Sequence, residues 1–344
     1  MQYIAQIVNG IEEIGIQEIK ELVKVKAEKL LPGRLLFKTD NVKDLNYKTR
    51  SLERIYEYLV KFEFKSLEDI KKQVDKIKFT FEGTFKVKCA RKGEHKFNSQ
   101  EVAMSIGKVI FDKGFKVDVK NPKFNVLVDI IDNDCIIGID VSNASLCKRD
   151  YRIKTNKQSI NACVAYSMLR LADWDKKQVL LDPFCKDGVI VIEAALFGLN
   201  IPRGHMSEDF SKIKREELKI FGFDPMMPNI RSTEINAKLA DINKEIKFSK
   251  CDLDWLDTKF DKESVDKIIT AIFTSEEKDT IKEFKELFYQ ADYVLNKKGK
   301  LVVATQKKDW LLSQAKKFKL EKEVKITIGG LDYSVLIFNR KVFK

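Results

Sequence analysis

From residue 178 onward, the chain alternates regularly between short apolar runs and amphipathic stretches. Helical stretches separate the runs QVLLD, IFGFD, IKFSKCD, DKIITAIF and KLVVATQ, and two further runs, EVKITI and YSVLIFN, follow each other closely. Strands that alternate with helices form a mostly parallel sheet covered on both faces, whereas closely spaced strands form a hairpin. We therefore predict a Rossmann-like, doubly wound α/β domain over residues 176–344, with an antiparallel C-terminal hairpin at one edge of its sheet.

Three of these predicted strands end in an aspartate. Asp182, Asp224 and Asp252 follow the first, second and third strand respectively. Ligands in such sheets bind beyond the carboxyl ends of the strands. An acid after the second strand is placed to accept hydrogen bonds from ribose hydroxyls, and one after the third can accept from the exocyclic amine of adenine. The three acids together predict a site for a cofactor that contains a nucleoside.

The N-terminal half predicts a different α/β region. Residues 1–61 contain the strands QYIAQIV and GRLLFKT around an amphipathic helix, and they predict a ferredoxin-like domain that extends into the following segment. Residues 62–145 predict the strands TFKVKCA, FKVDV, FNVLVDIIDN and DCIIGIDVS, with a helix that begins near Ser99, its predicted cap. Residues 146–175 predict a linker and a helix.

The charge of the chain indicates a polyanionic partner. The net charge is +12, and residues 76–96 hold seven Lys and Arg against two Glu. The loop 91–96 precedes the predicted helix at Ser99, and cations beside a helix start can hold phosphate. We predict phosphate contacts from eight residues. They are Lys88, Arg91, Lys92, His95, Lys96, Lys148, Arg149 and Arg152.

Composition argues against several other classes of protein. The six cysteines form no CxxC pair and there are only two histidines, so we expect neither a metal site nor disulfides. No apolar run approaches the ~18 residues that cross a bilayer. The first residues, MQYIAQIVNGIEEIG, lack the pattern of a signal peptide. We therefore expect a cytoplasmic protein without a membrane partner.

Five stretches resemble one known family, the THUMP-domain tRNA methyltransferases, and within it the guanine-N2 group that acts in the tRNA acceptor stem. VNGIEEIGIQEIKEL is similar to the family's N-terminal domain, and FKVKCARKGEHKFNSQEVAMSIGKVIF with FNVLVDIIDNDCIIGIDVS is similar to THUMP. SLCKRDYRI resembles the linker L-x-K-R-x-[WY]-R, and LLDPFCKDGVIVIEAAL resembles L-D-P-[MF]-C-G-[ST]-G-T-x-x-I-E-A. The resemblance covers nearly the whole chain.

The resemblance implies S-adenosylmethionine as methyl donor and tRNA as partner. It implies that THUMP and the N-terminal domain grip the acceptor end. In the cofactor site it places Asp182, Phe184 and Gly188 in the loop at the methionine side, with Asp224 at the ribose and Asp252 at the adenine.

The glycine loop departs from the family pattern. Lys186 stands where the first glycine belongs, Asp187 replaces Ser or Thr, and Val189 replaces Thr. A side chain at the first position interferes with the close approach of backbone to cofactor that glycine allows. A lysine cation there also repels a sulfonium, unless Asp187 pairs with it.

The expected catalytic loop departs further. The family carries [ND]-[PL]-P-[YF] after the fourth strand, and the aligned residues here are Ala271, Ile272, Phe273 and Thr274. A guanine N2 is a poor nucleophile, and oxygen acceptors for its hydrogens orient it toward the methyl group while an aromatic ring stacks on the base. Ala271 offers no side-chain acceptor, and Thr274 replaces the ring.

Three interpretations of this loop remain open. The protein binds tRNA without modifying it, as a chaperone or as the partner of an active paralogue. Alternatively Phe273 stacks out of register while Thr274, Ser275 or Glu276 accepts the amine hydrogens. In the third, the alignment is locally wrong, although no N-P-P-[YF] or D-P-P-[YF] occurs elsewhere in the chain. The sequence does not decide which tRNA or nucleotide is recognised, nor whether the protein is a monomer.

Overall fold

The structure is a computed structural model that describes residues 1–142, 144–204, 215–273 and 277–341. The chain forms two compact units, each a mixture of helices and strands. The first unit comprises Met1–Ile7, Ile19–Asn46 and Glu53–Leu146, and the second comprises Val8–Glu18, Tyr47–Leu52 and Cys147–Lys344. The two units are therefore not consecutive in sequence, because two short N-terminal segments belong to the second.

The first unit is built on one eight-stranded sheet. Its strands are β1 (Gln2–Ile7), β2 (Ala27–Leu31), β3 (Arg34–Lys38), β4 (Leu52–Glu63), β5 (Thr84–Lys92), β6 (Lys116–Val117), β7 (Phe124–Ile131) and β8 (Asp134–Asp140). They lie in the order β2-β3-β1-β4-β8-β7-β5-β6. β8 is antiparallel to β4 and β7, and β5 is parallel to β6 and β7. The segments predicted as ferredoxin-like and THUMP regions thus share a sheet.

Four helices accompany this sheet in the chain: α1 (Glu12–Val23), α2 (Val42–Lys48), α3 (Leu67–Asp75) and α4 (Ser99–Asp112). α4 has an apolar stripe at helical spacing, and its members Val102, Ile106 and Ile110 are fully buried. These side chains belong to one core cluster with Phe85 of β5 and Val126 of β7. The burial of branched aliphatic side chains at helical spacing against a sheet holds this part of the unit together.

Two local predictions in this region were wrong. α4 is capped by Asn98, whose side chain accepts hydrogen bonds from the N–H groups of Gln100 and Glu101, both at 2.9 Å. Glu101 accepts in return from the backbone N–H of Asn98, so a reciprocal capping box fixes the start one residue before Ser99. The predicted strand FKVDV is reduced to Lys116–Val117.

The second unit has the predicted doubly wound architecture. Its strands are β9 (Leu180–Asp182), β10 (Ile220–Asp224), β11 (Ile246–Lys250), β12 (Val265–Ala271), β13 (Leu295–Thr305), β14 (Phe318–Ile328) and β15 (Leu331–Arg340). They lie in the order β11-β10-β9-β12-β13-β15-β14. The first five are parallel, and β15 is antiparallel to β13 and β14. The predicted C-terminal hairpin at the sheet edge is confirmed.

The helices of this unit are α5 (Ala162–Leu171), α6 (Val189–Gly198), α7 (Met227–Leu239), α8 (Leu256–Lys259), α9 (Glu277–Val294) and α10 (Lys308–Gln314), with a 3-10 turn at Leu253–Trp255. Phe284 and Leu287 of α9 are buried with Ile268, Leu301 and Phe338 of the sheet. None of the helices in the described part of the chain is both long and apolar enough to cross a membrane.

Candidate functional site

The loop between β9 and α6 forms the centre of the site. At its start, the backbone N–H of Phe184 donates to Asp182 Oδ1 at 3.1 Å, and at its end Gly188 N–H donates to Cys185 O at 2.7 Å. Gly188 has φ +83°, and a Cβ there would lie 2.4 Å from Thr233 Cγ2. Glycine is therefore required at this one position, both for its conformation and for the close packing of α6.

Lys186 adopts the conformation that the missing glycine would favour. Its φ is +53°, in the left-handed region that costs a residue with a Cβ roughly 1–2 kcal/mol. Its backbone is held on both sides: N–H donates to Asp224 Oδ2 at 3.0 Å, and the carbonyl accepts from Thr233 Oγ1 at 3.0 Å. Its ammonium is buried and donates to Gln158 Oε1 at 3.3 Å.

Asp224 connects the ends of β9 and β10. Besides the bond from Lys186, its Oδ1 accepts from the backbone N–H of Met226 and from the side-chain amide of Asn229, both at 2.9 Å. A carboxylate offers about four acceptor positions, so three of them are used inside the protein. The aspartate predicted to meet ribose therefore also clamps the loop, with one acceptor position left for a ligand.

Beside this loop, a cleft of about 430 Å³ opens at the carboxyl ends of the strands. Phe184, Pro225 and Leu253 give it apolar walls. The remaining lining residues are charged: Asp252, Asp254, Asp279, Lys282, Glu283 and Glu286. Flat apolar walls with a few acceptors fit a nucleoside. Of the predicted cofactor residues, Phe184 and Asp252 line the cleft, Asp224 directly precedes Pro225, and Asp182 and Gly188 lie in the adjoining loop.

Two acids at this site, Asp182 and Glu283, have raised pKa values. Burial raises the pKa of Asp182 to about 7, with a smaller contribution from the neighbouring carboxylate of Asp224. Burial also raises the pKa of Glu283, although the charge of Lys186 opposes this. Glu283 Oε2 is buried without a hydrogen-bond partner among the described residues. A buried acceptor that faces a cleft and lacks a partner is a natural contact for a donor group of a ligand.

Asp187 does not pair with Lys186. It is fully buried and binds Arg152, whose Nη2 lies 2.8 Å from Oδ2. It also accepts from Asn156 N–H at 3.2 Å and from the hydroxyl of Ser159. The carboxylate of Asp187 is therefore paired with a linker residue, so Asp187 does not neutralise the ammonium of Lys186.

The end of β12 contains the start of the expected catalytic loop. Ala271 and Ile272 are buried, and Ile272 N–H donates to Ala304 O at 3.0 Å, which extends the pairing with β13. Phe273 is half-buried, and its ring packs edge-on against Tyr333 with centroids 5.1 Å apart. The candidates Thr274 and Glu276 lie outside the described residues. From Ala271 to Phe273, only backbone carbonyls offer acceptors.

The basic loop of the first unit is organised by His95. Arg91 donates to Gly93 O at 3.1 Å and to His95 Nδ1 at 2.9 Å. Because an arginine can only donate, Nδ1 is the acceptor and His95 carries its proton on Nε2, which donates to Asp132 O at 2.7 Å. His95 thus connects the side chain of Arg91 to the backbone at Asp132.

The side chains of Arg91, Lys92 and Lys96 are exposed, and Lys88 is half-buried. Their exposure leaves them accessible to a phosphate, and the phosphate contacts stay a prediction. The start of α4 is less open than predicted, because Asn98 already accepts from two of its free N–H groups.

Two of the three linker cations predicted to contact phosphate, Arg149 and Arg152, form ion pairs inside the protein. Lys148 is exposed, but the side chain of Arg149 is only 1% exposed and its Nε lies 2.8 Å from Glu193 Oε1. Arg149 therefore cannot reach a phosphate, and that prediction was wrong. Arg152 is 15% exposed and is bound to Asp187. The helical run VIVIEAALFG, with one acid among apolar residues, is the signal that could have revealed a buried partner.

Sequence reasoning missed Gln158 and Glu283. Gln158 lies in the linker, where nothing in its neighbours marks it, and Glu283 lies on α9 among other acidic residues. Within the described part of the chain, no group of three or more His, Cys, Asp or Glu is arranged to hold a metal.

The parallel sheet with its antiparallel final hairpin, the loop after β9 and the cleft beside it form a Rossmann-like fold, and the family match of this part of the chain defines its class as a Rossmann-like methyltransferase. Residues 149–333, more than half of the chain, match the RMKL-like methyltransferase domain, and residues 64–140 match the THUMP domain. The chain therefore belongs to the RMKL-like methyltransferase family and carries a THUMP domain, which confirms the resemblance to the THUMP-domain guanine-N2 methyltransferases.

Individual relatives agree with this membership. The chain is 29% identical to a tRNA (guanine(6)-N2)-methyltransferase of Methanocaldococcus jannaschii, over 96% of this chain and 98% of the relative. The crystal structure of TrmN from Thermus thermophilus has the same fold, with a TM-score of 0.80, 21% identity and 99% coverage of both chains. A protein solved in complex with SAH is similar over 100% of this chain and 99% of that one (TM-score 0.79, 20% identity).

Proposed function

We propose that the protein transfers a methyl group from S-adenosylmethionine to the exocyclic N2 of a guanosine in the acceptor stem of tRNA. The observation that carries this proposal is the nearly complete coverage of both chains in the match to the archaeal tRNA (guanine(6)-N2)-methyltransferase. The cleft at the carboxyl ends of β9, β10 and β11 supports it, because its walls and acceptors suit a nucleoside cofactor.

The residues around the cleft fit the cofactor. Phe184 and Leu253 would face the adenine, and Asp252 would accept from its exocyclic amine. Asp224 has one acceptor position left for a ribose hydroxyl. The loop from Asp182 to Gly188 would hold the amino-acid end.

The bound cofactor would supply an electrophilic methyl group on a sulfonium. In the proposed transfer guanine N2 would become methylated, S-adenosylhomocysteine would leave, and one N2 proton would pass to the acceptor group. The protein must hold the flipped base and accept the amine hydrogens. We propose Phe273 as the stacking ring and Thr274 or Glu276 as the acceptor, together with backbone carbonyls at the end of β12.

The same proposal assigns RNA contacts to the exposed or half-exposed cations of the predicted set: Lys88, Arg91, Lys92, Lys96 and Lys148. His95 would support them by positioning Arg91. We also propose cytoplasmic location and four functional segments, residues 1–61, 62–145, 146–175 and 176–344, which need not fold separately.

The test is a methyl-transfer assay with radiolabelled S-adenosylmethionine on unmodified tRNA transcripts, after calorimetry with the same cofactor. We expect cofactor binding and label in N2-methylguanosine. Glu276→Gln should slow transfer at least about tenfold while cofactor affinity is unchanged. Glu68→Gln, which alters an exposed ion pair on α3, is the matched control and should be neutral.

Other outcomes are equally informative. Cofactor binding without transfer to any tRNA would contradict the proposed reaction and support a tRNA-binding protein without activity. Transfer to a nucleotide other than guanosine would keep the enzyme class but overturn the proposed target.

A further inference from the structure

Lys186 differs from every other strained residue in the described part of the chain. Seven residues other than glycine have positive φ there: Lys24, Asp132, Asp173, Lys186, Asn200, Asp241 and Glu263. Of these, only Lys186 is buried, with 8% of its surface exposed. Strain that is maintained by surrounding structure at a ligand loop is a reason to look for a function of the side chain.

The ammonium of Lys186 has spare hydrogen-bonding capacity. It carries three N–H donors, and Gln158 Oε1 accepts one of them at 3.3 Å. No carboxylate of the described residues lies within ion-pair distance, since Asp187 is bound to Arg152 instead. A buried ammonium is costly without an anionic partner. Over the described ranges the protein provides no carboxylate in direct contact with this ammonium, and Asp182 and Glu283 interact with its charge only from a greater distance.

The position of Lys186 indicates which group of a ligand in the cleft its ammonium would contact. It follows Phe184, which lines the cleft, by two residues, and its charge acts on Glu283 in the cleft wall and on Asp182 in the loop. The charged residues of the cleft lining are five carboxylates and Lys282, and Lys186 itself lies beside the lining rather than in it. A cation beside an acidic cleft, at the loop rather than at its apolar walls, suits an anionic group attached to the nucleoside.

We propose that the Lys186 ammonium binds the carboxylate at the amino-acid end of the adenosyl cofactor and thereby makes affinity depend on that carboxylate. The inference rests on the proposed function, since it assumes a nucleoside in the cleft. In this chain a side chain supplies an anchor at a position where the family pattern has only backbone. Gln158 holds the ammonium through the 3.3 Å hydrogen bond to its Oε1.

The experiment is calorimetry with two ligands, S-adenosylhomocysteine and 5′-methylthioadenosine, which lacks the amino-acid carboxylate. They are titrated into the full-length protein and its Lys186→Met and Lys186→Gly variants. Loss of a charge-assisted hydrogen bond should weaken S-adenosylhomocysteine by about tenfold or more in both variants. Affinity for 5′-methylthioadenosine should stay within about twofold, which also shows that the variants are folded.

Two further variants sharpen the result. Lys186→Arg keeps the charge and should retain most of the preference for the carboxylate-bearing ligand. Lys285→Met, an exposed lysine of α9 outside the cleft lining, should leave the ratio of the two dissociation constants unchanged.

Equal or tighter binding of S-adenosylhomocysteine by Lys186→Met would overturn the inference and identify the side chain as an obstruction. An equal loss for both ligands would overturn it as well. If the unaltered protein binds neither ligand, the proposed cofactor site fails and the inference falls with it. That result is distinguishable because the unaltered protein alone reveals it.

Discussion

At the scale of single residues, the loop after β9 carries two charged side chains, Lys186 and Asp187, where the family pattern has Gly and Ser or Thr. The departures at Lys186 and Asp187 are visible in the sequence, and so is the question of how they are accommodated. The structure answers it through φ +53° at Lys186 and through the bond between Asp187 and Arg152. Neither answer was predictable, because both depend on the direction in which adjacent side chains leave a tight loop.

Asp182 should make stability depend on pH. Its pKa in the folded protein is about 7, raised mainly by burial, whereas an unfolded aspartate has a pKa of about 3.9. Between these two pH values the folded state keeps a proton that the unfolded state has lost. The stabilisation that this proton gives the folded state is fully present below about pH 4 and is lost as pH rises to about 7. Asp182→Asn should remove this decline, which reaches about 1.4 kcal/mol per pH unit.

Urea unfolding between pH 4 and pH 8 measures this effect. Asp252→Asn changes an exposed carboxylate after β11, two strands away from β9, and its pH profile should run parallel to that of the unaltered protein. If Asp182→Asn shows the same pH profile as the unaltered protein, the raised pKa is refuted.

At the scale of elements, α6 is a helix whose residues 189–196 are all buried, and Glu193 is the one charged residue among them. Glu193 is fully buried and is bound by Arg50 Nη1 at 2.9 Å, by Arg149 Nε at 2.8 Å and by the hydroxyl of Tyr151 at 2.8 Å. Burial acts to raise the pKa of Glu193, but the charges of Arg149 and Arg50 outweigh it and hold the pKa at about 2. The cluster joins α6 to the linker and to the segment Tyr47–Leu52 of the same unit.

Glu193→Gln should destabilise the protein by about 3–5 kcal/mol, because it leaves two buried guanidinium groups without their counter-charge. The stabilisation exists above the ordinary pKa of a glutamate, about 4.3, and is lost as pH falls toward 2. Denaturant unfolding at pH 7 measures it. Glu216→Gln breaks a half-exposed pair with Lys176 and should cost less than about 1 kcal/mol. Equal losses in the two variants would contradict the buried-network interpretation.

At the scale of the whole molecule, periodicity and strand-end acids were sufficient to predict the second unit, its parallel sheet and its final hairpin. The strand-end acids also located Asp224 and Asp252 at one cleft, where Asp252 is in the lining and Asp224 directly precedes a lining residue, and the family resemblance added Phe184. Charge alone could not separate a phosphate contact from a buried ion pair, so Arg149 was misassigned. The single acid in the apolar run of α6 indicates that a buried cation is needed, but the sequence alone does not tell which cation of the linker supplies it.

The exposed part of the basic loop should contribute to RNA affinity through charge. Arg91→Ala combined with Lys92→Ala should weaken tRNA binding regardless of RNA sequence. It should also reduce the slope of log affinity against log salt by about 0.9 for each phosphate that the variant no longer neutralises. Filter binding at several salt concentrations measures both quantities.

The matched control is Lys316→Ala combined with Lys319→Ala, which removes the same charge from exposed positions at the other end of the chain. It should have a smaller effect on affinity. Unchanged affinity and slope in the Arg91 and Lys92 double variant would exclude the loop from the RNA interface.

The continuity of the eight-stranded sheet limits how this chain can be recombined. β4 (Leu52–Glu63) pairs with β8 from Tyr56 opposite Asp140 to Glu63 opposite Asp134. A fragment that begins at residue 62 would keep only the last two positions of that ladder and would expose an edge of β8 to other chains. Transferring the THUMP region to another enzyme therefore requires that the N-terminal strands be transferred with it.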